Sequence, residues 1–176
     1  MAELSFNERL QPSLLDRLAD EAPDQQKEAR SRRVISLARL RSLVRRDLAW
    51  LLNAGHMEPL IDLSPYPEVR DSVINYGIPD LSGSAVADLD REEIERIIKH
   101  AVLTYEPRIL ARTLRVRAEV SSDRMNQNAI VFEIEGQLWA QPMPAELFLK
   151  TEIDLESGQV EVRDAADMSA GMRGGR

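Results

Sequence analysis

The residues best suited to chemistry lie together in "TYEPRIL", Thr104 to Leu110. At its centre, Glu106-Pro107-Arg108 sets a carboxylate, a helix-blocking ring and a guanidinium side by side. The plain reading is a helix stop. Proline pushes residue 106 away from helical geometry, and two charges facing water form at most a weak ion pair. The sharper reading is that Pro107 fixes the backbone so that both charged side chains project in set directions. An arginine held in this way can make paired hydrogen bonds to a carboxylate, or to carbonyls at a helix end.

Other chemistries find less support. Glycoside hydrolysis needs an acid and a second carboxylate about 5–9.5 Å apart. Glu106 could be the acid, but no sequence feature singles out its partner. Glu92, Glu93 and Glu95 already have a structural place as anions at a helix start. The two histidines, His56 and His100, are far apart in the chain and show no metal-ligand spacing. With no cysteine there is no disulfide, thiol nucleophile or cysteine metal site. A nucleophile elbow and a Gly-rich phosphate loop are both absent, and "GIPDLSG" lacks the lysine and the context of a phosphate loop. No catalytic residue, metal ligand or cofactor is therefore expected.

The elements that must hold Glu106-Pro107-Arg108 follow from periodicity. A helix opens at Asp90, a good N-cap, with Ile94, Ile97, Ile98, Ala101 and Val102 as its buried stripe. Pro107 limits its far end. The period then changes to two: Leu114, Val116, Ala118 and Val120 alternate with charged residues. Ile130, Phe132 and Ile134 share one face of a second strand. Leu147, Leu149, Thr151, Ile153 and Leu155 share one face of a third, and "QVEVR" makes a short last strand. Such alternation predicts an antiparallel sheet with one buried side.

Upstream, the spacing predicts a long helix over Val34–Asn53, stopped by Gly55, with a locally dense set of arginines. These read as a solvated face, with contact to an acidic partner as the other possibility. "YPEVRDSVINYG" has helical spacing at Val69, Val73 and Tyr76, and Ile78 and Leu81 of "GIPDLSG" are expected to tuck inward. At the start, Leu10, Leu14, Leu15 and Leu18 recur at helical spacing before a polar linker, Asp20 to Gln26. This arm either folds back on its own domain or docks on a partner. The organisation expected is an arm and linker over residues 1–33, a single α+β domain over 34–163, and a disordered tail over 164–176.

The bulk numbers fit. The chain has 176 residues, 43% of them hydrophobic, enough for one domain with a core. With 23 basic against 30 acidic residues, its net charge of −7 argues against general nucleic-acid binding. No apolar run approaches the roughly 18 residues that span a membrane. The N-terminus lacks an apolar signal core, and the absence of cysteine suits the cytoplasm.

Several pieces in order carry a resemblance: "ERLQPSLLDRL", "LARLRSLVRRDLAWLLNA", "SVINYGIPDLSG", and the helix into "YEPRI" followed by "LRVRAEV". The set resembles the TssE family of type VI secretion baseplate subunits. That family is similar to the baseplate-wedge protein of contractile phage tails and is often called lysozyme-like. The resemblance covers about residues 4 to 163 and implies the family's fold, helices packed on a small antiparallel sheet.

It also implies an assembly role in the cytoplasm, in a baseplate near the inner membrane and around the spike and the base of the inner tube. The partners implied are TssF and TssG in the wedge and the sheath proteins TssB and TssC. Glu106, Pro107 and Arg108 match the family's signature, which is associated with contact to the wedge core. The family starts polymerisation of the contractile sheath, and sheath subunits exchange strands. An exposed sheet edge would template that exchange. The candidate templating positions are Leu147, Leu149, Thr151, Ile153, Val160 and Val162. The competing function is a peptidoglycan-cleaving, lysozyme-like enzyme, for which the second carboxylate is missing.

Overall fold

The computed structural model describes residues 13–18, 36–83, 90–119, 129–140 and 144–164. Among the described residues, four helices, α1 (Leu14–Leu18), α2 (Leu37–Leu52), α3 (Pro67–Arg70) and α4 (Arg91–Tyr105), precede four strands. The strands are β1 (Arg115–Glu119), β2 (Ala129–Leu138), β3 (Ala145–Asp154) and β4 (Val160–Asp164). They form one antiparallel sheet in the order β1-β2-β3-β4. The fold is α+β, as the alternation predicts.

Burial follows the pattern of two. Ile130, Phe132 and Ile134 of β2, and Leu147, Leu149, Thr151 and Ile153 of β3, face the core. The stripes of α2 (Leu40, Val44, Leu48, Leu51, Leu52) and α4 (Ile94, Ile98, Ala101, Val102) cover that face. Helix α4 lies against β1 and α2 against β4. Ile78 is buried and Leu81 is partly buried against the core, as the loop pattern indicates.

Three expectations about helices change. Ser36 is extended and its hydroxyl accepts from the Arg39 N–H, so α2 starts at Leu37 and not at Val34. The helix expected over "YPEVRDSVINYG" is split into α3 and a 3-10 turn, Val73–Asn75. Ser72 is the reason: it is extended, and its Oγ caps the Ile74 N–H. Val73, expected at helical spacing with Val69 and Tyr76, instead opens the 3-10 turn and is 80% exposed. At α4 the expectation holds, with Asp90 accepting from the Glu92 N–H. The linker and residues 165–176 of the expected tail lie outside the described residues, as does Val120, whereas Asp164, expected in the tail, is the last residue of β4.

Both outer strands are tied to a helix through side chains. Glu95 of α4 accepts from the Ala118 N–H of β1 at 2.7 Å. Asn53, the C-cap of α2, bonds both backbone groups of Val160 in β4: Nδ2 donates to the carbonyl at 2.8 Å, and Oδ1 accepts from the N–H at 2.9 Å. Its amide thus takes the place that one residue of a neighbouring strand would hold. Arg41 Nε donates to the Glu146 carbonyl at 3.1 Å, at the far end of β3.

Candidate functional site: the Glu106–Arg108 turn and its charge network

Pro107 does end the helix, and Glu106 is its C-cap residue. The charges do not simply face water, however. The Glu106 side chain is 4% exposed and that of Arg108 is 23% exposed. Arg108 Nε donates to Glu106 Oε1 at 2.6 Å, and Nη2 donates to Oε2 at 2.5 Å. The Arg108 N–H also donates to Oε1 at 3.2 Å. A proline between the two residues makes this short loop possible, because it holds φ fixed while both side chains turn to one side. Two parallel bonds from a guanidinium to a carboxylate are the strongest pairing these groups offer.

The pair does not stand alone. Arg108 Nη2 also donates to Asp47 Oδ2 of α2 at 2.5 Å. Asp47 Oδ1 accepts from Arg46 Nε and Nη2, at 2.9 and 2.7 Å. Arg46 Nη1 donates to Asp16 Oδ1 of α1 at 2.6 Å, and Ser13 Oγ donates to Asp16 Oδ2 at 2.5 Å. A line of alternating charge therefore runs Glu106, Arg108, Asp47, Arg46, Asp16, joining α4, α2 and the arm.

Burial would lower the Arg108 pKa, but the bonds and charges of Glu106 and Asp47 outweigh it and raise it. Asp16 would be raised by burial, yet hydrogen bonds from Arg46 and Ser13, with the charges of Arg46 and Arg108, hold it below the usual carboxylate value. Arg108 Nη1 is buried without a partner among the described residues.

Neighbouring backbone holds the turn in place. The Trp139 N–H donates to the Arg108 carbonyl at 2.7 Å, and the Leu110 N–H donates to the Gln137 carbonyl at 2.8 Å. Residues 108–110 thus pair with the end of β2 through an antiparallel bridge, Ile109 to Leu138. Thr113 fills the gap before β1: its Oγ1 accepts from the Gln137 N–H and donates to the Leu110 carbonyl. A Cβ on Gly136 would lie 3.1 Å from Ile109 Cγ2, so the close approach favours glycine there.

On the other side, "NYG" locks the loop after α3. Asn75 is buried; its Oδ1 accepts from the Met57 N–H and its Nδ2 donates to the Arg70 carbonyl. Tyr76 packs edge-on against Tyr105, with centroids 5.2 Å apart. The Tyr105 hydroxyl lies 2.9 and 3.0 Å from the Ser72 and Asn75 carbonyls. Gly77, at φ 128°, brings the chain against Ala54, whose oxygen would lie 2.1 Å from any Cβ.

The chain has two tryptophans, and both border this network. Trp50 lies under Arg46, the guanidinium carbon 4.7 Å from the ring centre. Trp139 supplies the backbone bond to Arg108. Each is 51% exposed. Sequence reading missed both, along with Asp47 and Asp16, and took Arg46 only as one of a dense set of arginines. One signal was present: Asp47 falls on the Leu40, Leu43, Val44, Leu48, Leu51 stripe, where a charge needs a partner.

The sequence-predicted strand positions divide. Leu147, Leu149, Thr151 and Ile153 belong to β3, which lies between β2 and β4, and from Leu149 to Ile153 it is paired on both sides. Among the described residues, the open edge on that side is formed by β4, which holds Val160 and Val162, and by Ala145–Phe148 of β3, which lie beyond the β4 register and include Leu147. In β4, Val160 is already bonded to Asn53; Val162 faces the same way by alternation.

Among known families, the model for "Baseplate wedge protein gp25" matches residues 38–143, more than half of the chain. This chain belongs to that family. Membership gives it a structural role in a phage-tail-like baseplate, in contact with other baseplate proteins. The matched span contains the whole Glu106–Arg108 turn, Asp47, Arg46 and both tryptophans, and leaves α1, β3 and β4 outside. No curated protein and no solved structure matches the chain. No helix among the described residues is long and apolar enough to cross a membrane.

Proposed function

We propose that this chain is a non-enzymatic baseplate subunit of a type VI secretion system. It holds the TssF–TssG wedge through the surface around Arg108 and starts the TssB–TssC sheath from β4. It would work in the cytoplasm, in a baseplate near the inner membrane and next to the spike and the base of the inner tube.

The observation that carries the contact reading is the pair of half-exposed tryptophans that border the charge network, Trp50 under Arg46 and Trp139 bonded through its backbone to the fixed Arg108. Tryptophan and arginine are the side chains that most often dominate binding at protein interfaces. The roles within Glu106-Pro107-Arg108 then separate. Glu106 positions and Pro107 shapes, while Arg108 and the tryptophans meet the partner. In a Glu106→Gln background, which leaves no buried carboxylate unmatched, Arg108→Ala should leave the chain folded and weaken capture of a TssF–TssG complex at least about tenfold, the effect of losing one hot-spot side chain. Equal capture by the variant would sink the contact role.

For sheath initiation, Val162→Pro is the appropriate variant. Proline at Val160 would break the bond to Asn53 and disturb the fold, whereas the Val162 N–H points away from β3. Sheath assembly should fail with folded Val162→Pro protein; normal sheaths would refute templating at β4.

A further inference from the structure

Helix α1 is seated in an unusual way. Its described part is five residues, and so short a helical stretch is held in place by what it touches. An amphipathic arm would ordinarily bury its leucines. Here Leu15 and Leu18 are 53% and 74% exposed, and among the described side chains of α1 it is Asp16 that is buried, at 8% exposure. Among the described side chains, Asp16 ties α1 to the domain through the ion pair with Arg46.

Arg46 lies at the Trp50 end of the surface around Arg108 and is itself 32% exposed. The seated group also shows what this place accepts: a carboxylate on a single helical turn, steadied by a neighbouring hydroxyl. Asp47 on the other side of Arg46 is shared with Arg108, so the inner part of the network persists without Asp16.

We propose that α1 is an internal ligand of this surface. In the free chain, Asp16 occupies the position on Arg46 that an acidic side chain of the wedge partner takes on assembly, and the arm is released as the partner binds. The proposal rests on the reading that the surface around Arg108 meets the wedge.

The test uses the full chain and a purified TssF–TssG complex. Removing a competitor strengthens binding, so Asp16→Ala should tighten the complex about two- to fivefold, the worth of one ion pair near the surface. Arg46→Gln should weaken it. Amide exchange of residues 14–18 should rise when the complex is added to the unaltered chain. Unchanged or weaker binding by Asp16→Ala, or slower exchange of the arm in the complex, would overturn displacement. Unchanged amide exchange in β2 and β3 confirms that Asp16→Ala acts on the arm alone. The two ideas fail separately. If Arg108→Ala binds normally while Asp16→Ala still tightens, the Arg108 contact is wrong and the Arg46 site stands. If Arg108→Ala weakens binding and Asp16→Ala does not strengthen it, the arm proposal alone falls.

Discussion

The Glu106–Arg108 turn and the β4 edge are tied into the molecule by opposite means. At the turn, a guanidinium is gripped by two carboxylates and fixed again through its own backbone. At the edge, one neutral amide from Asn53 satisfies one residue, Val160. A charge taken out of water must be matched by opposite charge and good geometry, or the fold suffers. A backbone edge needs only hydrogen bonds, which a side chain, water or another strand supplies about equally. The turn is therefore built to keep one arrangement, and the edge to accept a substitute.

The comparison can be broken most forcefully at Glu106. Glu106→Ala leaves Arg108 partly buried with Asp47 alone, and should cost about 3 kcal/mol in urea unfolding, as for removing one partner of a buried pair. A loss below about 1 kcal/mol, the worth of an exposed pair, would mean that the turn is no firmer than the surface. The effect at the edge should be smaller. Asn53→Ala deprives Val160 of two bonds and should cost about 1–2 kcal/mol, with faster amide exchange confined to β4. Exchange that accelerates through the whole sheet would show the edge to be as fixed as the turn.

The smallest effect belongs to the outer end of the charge line. Asp16 is held below the usual carboxylate value in the folded chain. Its contribution is present above the unfolded value of about 3.9 and is lost as pH falls through the lower folded value. Urea midpoints taken at descending pH below about 4 should show up to about 1 kcal/mol that vanishes in Asp16→Ala.

These regions also differed in how far the sequence disclosed them. The strands, the α4 cap and the stop at Pro107 rest on local periodicity and backbone restriction, so each was legible in a short window. The turn was legible as a motif, but its environment was not. Asp47 reaches Arg108 across 61 positions, and Asp16 reaches Arg46 across 30. Contacts of that kind are made by tertiary packing, which no local spacing encodes. Asn53 reads locally as a helix stop, and its second role toward Val160 exists only once α2 lies on the sheet.

The pairing of residues 108–110 with the end of β2 has a mechanical consequence. A pull on Arg108 does not have to pass through α4 or unwind it. The Trp139 and Leu110 amide bonds lead the load into β2, an interior strand paired with β1 on one side and with β3 along its full length on the other. Tension along that strand is resisted by many ladder bonds at once, in shear, instead of one after another. The turn is in effect an anchor bolt set into the middle plank of the sheet.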